Sequence, residues 1–238
     1  MAFDTPGWQV ADGRAAVSDI LVQESRRAFM SRVYGWMFAG LSVTGLVAVL
    51  TVSNMGLLEI ALNNRMLLFV AQIGLVLGLS WAAPRISGTL AAVLFMAYAA
   101  LLGLTLSVIF LVYSLGSIGG AFLMTAGAFG ALSVYGTVTK KDLSAWGAFL
   151  FMGLVGVVLA SLVQMFMHNS MLSFVISCAS VVVFAGLTAY DTQKLREMHA
   201  ATGYSSAASL SVVGALTLYL DFINLFLALL RLFGDRRR

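Results

Sequence analysis

The feature that most constrains this chain is the length of its stretches without a charged residue. Residues 86–139 form 54 consecutive uncharged positions, and residues 143–190 form another 48. A helix that crosses a bilayer needs about 20 predominantly apolar residues, so each stretch is long enough for two crossings. Only 10% of the 238 residues are charged and 61% are hydrophobic, whereas a soluble domain carries about 25% charge. The sequence therefore predicts an all-α integral membrane protein.

Charged residues and turn signals divide the chain into seven predicted transmembrane helices. The Ser- and Gly-rich segment 114–120 separates the third helix from the fourth, and His168-Asn169-Ser170 separates the fifth from the sixth. The predicted spans are residues 33–58, 66–84, two within 86–139, two within 143–190, and 209–233. We therefore predict three regions, which are a leader at 1–32, a membrane domain at 33–233 and a short basic tail at 234–238.

The basic residues predict a cytoplasmic N-terminus. With that orientation the inner segments hold nine Lys and Arg residues, and the outer segments before the C-terminus hold only Arg65. This distribution follows the positive-inside rule. A full seventh crossing would place the Arg-rich tail outside, whereas a re-entrant segment would keep it inside. We predict a full crossing and leave the side of the tail open.

The leader has no apolar core of the kind that a signal peptide needs, so we expect a short cytoplasmic segment. Its Asp4, Asp12 and Asp19 could contact a partner, although a solvated segment is the simpler interpretation. The net charge of +4 is small, and the basic residues cluster at the ends of apolar runs. That placement indicates membrane topology rather than a nucleic-acid partner.

Two aspartates stand in or beside apolar runs, which is where a carboxylate is least expected. Asp191 ends the predicted sixth helix, and Asp221 lies within the seventh. A charged side chain at mid-membrane costs about 3 kcal/mol or more, so such residues usually face a bundle interior or a water-filled cavity. A rise of about 1.5 Å per residue puts the two acids about 12 Å and about 18 Å from the inner ends of their helices. Adjacent antiparallel helices would bring them to similar depth.

Each acid shares its helix face with small and polar residues. At about 100° per residue, Thr217 and Asn224 lie on the same stripe as Asp221, and Ser177, Ser180 and Thr188 lie on the side of Asp191. Stripes of this kind are usually helix-packing seams. A packing seam does not need a carboxylate, so the aspartates call for a different explanation.

A pair of close carboxylates supports three kinds of chemistry. Two such groups cannot both ionise cheaply, so the pair would titrate as a unit and could sense pH. It could hold a hard cation such as Ca²⁺, although weakly, because calcium takes about six to eight oxygen ligands. It could also activate water, as aspartic proteases do.

An intramembrane aspartyl protease is the least favoured of these possibilities. Tyr190-Asp191 matches the first half of the protease pattern, but the sequence at 218–221 is Leu-Tyr-Leu-Asp instead of Gly-x-Gly-Asp, and no Pro-Ala-Leu follows. No HExxH motif or phosphate loop occurs in the sequence, so we expect no enzymatic activity. His168 and His199 lack the spacing of zinc ligands, and we expect no resident cofactor.

Three segments resemble the Bax inhibitor family, the transmembrane Bax inhibitor motif proteins, in its bacterial form. They are AYDTQKL at 189–195, LTLYLDFINLF at 216–226 and KKDLS at 140–144, and the resemblance covers roughly residues 25–234. It implies seven transmembrane helices with a central last helix wrapped by the other six. It also implies a multi-pass protein of the bacterial inner membrane.

The resemblance further implies a pH-sensitive calcium leak that a hydrogen-bonded aspartate pair closes. The matching positions are Asp191 and Asp221, which would also meet calcium as a weakly bound, permeating ion. An arginine near the inner end of the second helix can engage such a pair, and the match by position is Arg85. The simpler interpretation of Arg85 is a positive-inside anchor.

Two functional hypotheses follow. The first is a cation leak, with calcium as the ion, gated by protonation of Asp191 and Asp221. The alternative is a membrane protein that binds a partner, because some bacterial members of the family resemble modulators of membrane-anchored proteases and eukaryotic members suppress cell death. Both place the chain in a lipid bilayer.

Overall fold

The computed structural model describes residues 7–82, 84–167, 169–198 and 207–237, with side chains described from Ser25 and, in the last helix, from Ala208. Within these ranges the secondary structure consists of α-helices and one isolated backbone bridge. The helices are α1 (Gly7–Ser53), α2 (Met55–Asn63), α3 (Arg65–Ala82), α4 (Gly88–Leu106), α5 (Ile109–Val112), α6 (Leu115–Val138), α7 (Ser144–Met167), α8 (Ser170–Met198) and α9 (Ala207–Phe233).

Seven segments are long and apolar enough to cross a membrane, which confirms the predicted number. They are Ser25–Ser53, Arg65–Ala82, Gly88–Val112, Leu115–Val138, Ser144–Met167, Ser170–Met198 and Ala208–Phe233. The chain is therefore a multi-pass integral membrane protein. The predicted leader at 1–32 falls largely outside the described side chains, as do His168 and His199.

Asn and Ser side chains set the boundaries that hydropathy left approximate. The first span ends at Ser53 rather than residue 58, because Asn54 caps α2 by accepting hydrogen bonds from the backbone N–H groups of Gly56 and Leu57. The predicted break at 114–120 is shorter than expected. Ser114 caps α6 by accepting from the Ser117 N–H at 3.2 Å, and the glycines that follow are already helical.

The last helix is the most deeply buried. Of the most apolar window of α9, 72% is buried inside the protein, compared with 6% for α7. Helices α1, α4, α6 and α8 pack directly against it, while α3 packs mainly on α4 and α7 mainly on α8. We expected all six other spans to surround α9. Four of them (α1, α4, α6 and α8) contact it extensively, and α3 and α7 lie mainly outside these four.

Two glycines allow these helices to approach closely. A Cβ atom added at Gly103 of α4 would lie 2.7 Å from the Thr44 carbonyl oxygen of α1, and one at Gly136 of α6 would collide with the Ala189 carbonyl oxygen of α8. Both neighbours are backbone atoms, which cannot move aside as a flexible side chain can. Small residues at such contacts are how membrane helices pack tightly.

The C-terminal tail is tied to the connection between α5 and α6. The Arg237 N–H donates to the Val112 carbonyl at 2.9 Å, the Ser114 N–H donates to the Asp235 carbonyl at 3.2 Å, and the Asp235 N–H donates to Ser117 Oγ at 2.9 Å. Since α9 is continuous, this connection and the tail lie at the opposite end of the bundle from the start of α9. The structure agrees with a full seventh crossing rather than a re-entrant segment.

Candidate functional site: a carboxylate pair between the sixth and seventh spans

Asp191 and Asp221 lie side by side where α8 packs against α9. Their carboxyl groups are within reach of a side-chain hydrogen bond to each other. Asp221 is only 4% exposed, and Asp191 is half-buried. Among the described residues, no hydroxyl or amide donates to Asp221 Oδ2. Because an ionised carboxylate only accepts hydrogen bonds, a hydrogen bond between the two acids needs a proton on one of them.

A cavity of about 560 Å³ borders the pair and is lined by residues of α7, α8 and α9. Most of its lining is apolar. Its polar lining residues are Tyr190, Asp191 and Lys194 from α8 and Thr217, Asp221 and Asn224 from α9. The predicted polar stripe of α9 thus faces this cavity around Asp221.

Lys194 is the basic residue of the site, and the sequence reasoning missed it. Its positive charge acts on Asp191, and its ammonium lies 5.6 Å from the centre of the Tyr190 ring. Asp191 and Lys194 are three residues apart, a spacing that places two side chains on one helix face. The spacing that places Lys194 beside Asp191 could therefore have been found in the AYDTQKL segment.

Arg85, the arginine predicted for this role, is not brought to the pair. It lies in the turn between α3 and α4 with an exposed side chain, and its guanidinium stacks 5.0 Å from the centre of the Trp81 ring. Among the described residues, the leading charge effects on the two aspartates come from each other and from Lys194. An exposed arginine beside an aromatic residue at the end of a span fits the alternative interpretation, a positive-inside anchor.

The serines and threonine on the stripe of Asp191 serve helix packing. Ser177, Ser180 and Thr188 are buried, and each hydroxyl donates to the carbonyl four residues earlier in α8, at 2.9, 2.7 and 2.7 Å. With their donors used inside their own helix, these residues present small surfaces to α6 and α9. The packing-seam interpretation of this stripe agrees with the structure.

Tyr219 fixes the rotation of α9 and hence the direction in which Asp221 points. Its side chain is 0% exposed, and its hydroxyl lies 2.7 Å from Thr44 Oγ1 of α1. The Phe95 ring of α4 packs edge-on against it at 5.5 Å. Two residues along a helix turn the side chain by about 200°, so anchoring Tyr219 toward α1 and α4 directs Asp221 toward α8.

The carboxylate pair alone is too small for a tight metal site. Among the described residues there is no group of three or more His, Cys, Asp or Glu side chains that could hold a metal ion. Calcium takes about six to eight oxygen ligands, so two carboxylates would bind it weakly and exchange it readily.

The fold and the site define a class of protein, a seven-helix membrane protein with a buried acid pair between its last two spans. The comparison with family models then identifies it further. The model described as "Inhibitor of apoptosis-promoting Bax1" matches residues 26–238. The chain belongs to the Bax inhibitor family.

Similar proteins occur in distant bacteria. The chain is 47% identical over 228 residues to the inner membrane protein YbhL of Escherichia coli, an alignment that covers 92% of this chain and 97% of the relative. It is 49% identical over 212 residues to an uncharacterized protein of Deinococcus radiodurans, covering 88% and 91%. An uncharacterized protein of Borreliella burgdorferi is 44% identical over 217 residues, covering 89% and 94%.

Proposed function

We propose that this protein is a pH-sensitive cation leak, with calcium as the ion, whose gate is the Asp191–Asp221 pair. The observation that carries the proposal is the placement of two carboxyl groups within hydrogen-bonding reach of each other between α8 and α9, beside a cavity of about 560 Å³. Neither helix packing nor a positive-inside anchor requires this arrangement.

Gating follows from the proton that the pair shares. At acidic pH the shared proton joins the two acids. This bond holds α8 against α9 and closes the route of the ion through the protein. As the pH rises and the proton leaves, two negative carboxylates repel each other and the helices separate. The same oxygens then attract a divalent cation, and the flux increases.

The surroundings of the protein are inferred from its relatives and its charges. The Escherichia coli relative is named an inner membrane protein, and we place this chain in the same type of bacterial membrane. The nine basic residues of the inner segments orient the N-terminus toward the cytoplasm. The cavity then borders Lys194 on its cytoplasmic side.

The test is calcium flux into liposomes that contain a calcium-sensitive dye. Purified protein should admit calcium faster at neutral than at acidic pH, and protein-free liposomes should show neither the flux nor its pH dependence. The Asp235→Asn variant is a matched control, because it removes an exposed carboxylate far from the pair. A protein that transports no calcium at any pH would contradict the proposal.

A partner-binding function is the second candidate, and the exposure of α7 favours it. Only 6% of the most apolar stretch of this helix is buried inside the protein. The aromatic side chains exposed on it are Trp146, Phe149 and Phe151. The family description refers to a protein, Bax1, as a target of inhibition. Absence of calcium flux, together with co-purification of a membrane protein that depends on α7, would make this candidate the better one.

A further inference from the structure

Two adjoining cavities occur at the end of the bundle where α1, α6 and α8 meet. Their volumes are about 520 and about 370 Å³, and they share Arg26, Thr137 and Arg196 in their walls. Five basic and two acidic side chains line them together, which leaves a net charge of +3. The basic residues are Arg26, Arg27, Lys140, Lys141 and Arg196, and the acidic residues are Asp142 and Glu197.

Hydrogen bonds hold the basic walls in place. Gln193 of α8 donates to the Lys141 carbonyl at 2.9 Å and accepts from the Leu143 N–H at 2.8 Å, which fixes the α6–α7 connection against α8. Arg196 donates to the Thr137 carbonyl. An arginine has five N–H donors, so this bond leaves others for an anion. The site is therefore built before any ligand arrives.

The acidic lining residue Asp142 is already engaged. The Ser144 N–H donates to its carboxylate at 2.8 Å at the start of α7. Hydrogen bonds from the backbone and side chain of Ser144 keep the pKa of Asp142 below its usual value. Its negative charge lies at the N-terminus of α7, where it is stabilised, and it is included in the net charge of +3.

An apolar groove continues from these cavities along α6. Its volume is about 480 Å³, and it shares Tyr34 and Thr137 with the basic cavities. Gly130 and Val134 line it farther from the basic end, and eight residues of helix give it a length of about 12 Å. Val134 and Val138 are 63% and 71% exposed. Both valines belong to the candidate span Leu115–Val138, so we expect their exposed side chains to contact lipid.

We propose that the basic cavities and the groove form one binding site for an anionic glycerophospholipid. The phosphate lies among Arg26, Lys141 and Arg196, and one acyl chain follows the groove past Val134 to Gly130. Basic pockets between membrane helices suit anionic headgroups. A free phosphate would satisfy the charges but leave the groove empty, so the combination selects a lipid. This proposal does not depend on calcium transport.

The test is native mass spectrometry of the full-length protein in detergent with equal amounts of phosphatidylglycerol and phosphatidylcholine. We expect phosphatidylglycerol to be retained about tenfold more, since each basic residue near an anionic headgroup adds attraction. The combined variant Arg26→Gln, Lys140→Gln and Lys141→Gln should lose this preference. The combined variant Arg65→Gln, Arg236→Gln and Arg237→Gln removes the same charge elsewhere and should keep it.

A second pair of variants tests the groove without changing charge. A Cβ atom meets nothing within 4 Å at Gly130 or at Gly127, so both positions accept a larger side chain. Gly130→Leu should fill the groove and reduce retention of phosphatidylglycerol, whereas Gly127→Leu, one turn away on the same helix, should not.

Three outcomes would overturn the proposal. They are equal retention of both lipids, an equal loss of preference in the two charge variants, and full retention in Gly130→Leu with displacement of the bound lipid by inorganic phosphate. The last outcome would indicate a site for free anions.

Discussion

Asp221 occupies the middle of the most buried helix, where an isolated charge would be expensive. Its carboxyl group meets that of Asp191, and one shared proton gives the pair a single negative charge instead of two. Lys194 lies near enough to act on that remaining charge. The three residues together therefore form a nearly neutral unit when one proton is bound, and this makes their burial tolerable.

Replacing either acid should abolish the pH dependence of flux. In Asp191→Asn and in Asp221→Asn the repulsion between two carboxylates and the shared proton are both lost. Calcium flux into dye-loaded liposomes should then change little between acidic and neutral pH in each single variant. If both variants kept the pH profile of the parent, the pair would not be the gate, and the partner-binding function would be favoured.

Lys194 should set the pH at which the flux rises. A positive charge near the pair helps the shared proton to leave, so Lys194→Gln should shift the rise in flux toward higher pH. Arg85→Gln is the matched control, because Arg85 contacts Trp81 rather than the pair, and its pH profile should stay that of the parent. A shift in Arg85→Gln with none in Lys194→Gln would support the assignment made from the family resemblance.

The hydroxyl of Tyr219 should contribute to stability through Thr44. Tyr219→Phe removes one side of a buried 2.7 Å hydrogen bond and should lower the free energy of unfolding by about 1 kcal/mol. The single hydroxyl hydrogen of Thr44 can still be donated to the Gly40 or the Ala99 carbonyl, at 3.0 and 2.9 Å, so a larger loss is not expected. The measurement is thermal unfolding in detergent, and an unchanged midpoint would show that this bond does not hold α9.

At the scale of elements, the contact between α6 and α8 depends on Gly136. Gly136→Ala should destabilise the protein by about 1–3 kcal/mol or more, because the new methyl group collides with the Ala189 carbonyl oxygen and the helices must separate. Gly130→Ala, on the same helix with open space around it, should leave the midpoint of thermal unfolding nearly unchanged. Equal effects of the two substitutions would mean that helix propensity, rather than close packing, decides the result.

The transmembrane spans were predictable from the sequence, whereas the contacts between them were not. In a bilayer every backbone polar group must be satisfied within its own helix, so a long apolar stretch has few alternatives to a crossing. Asp191 and Asp221 could also be found from the sequence, because carboxylates are rare in apolar transmembrane stretches. Hydropathy does not encode helix rotation, which here depends on the contact of Tyr219 with Thr44, 175 residues away. Lys194 was not singled out from the sequence, because it and Arg85 both lie near the predicted inner face and hydropathy does not distinguish them.

At the scale of the whole molecule, we expect seven spans to put the two termini on opposite sides of the membrane. A reporter tag at the N-terminus should react only from the cytoplasmic side, and one at the C-terminus only from the other side. This expectation rests on the predicted cytoplasmic N-terminus and on the pairing of residues 235–237 with the α5–α6 connection, at the opposite end of the bundle from the start of α9. Labelling of both tags from the same side in intact cells would contradict a full crossing by α9.

The deep burial of α9 also has a consequence for biosynthesis. The helix that the ribosome makes last is the one around which α1, α4, α6 and α8 are arranged. Until α9 is made, four of the first six spans lack the helix that they pack against, and Thr44 lacks its contact with the Tyr219 hydroxyl. A nascent chain that stops before α9 therefore lacks the helix against which α1, α4, α6 and α8 pack. Completion of the chain is thus coupled to completion of the fold.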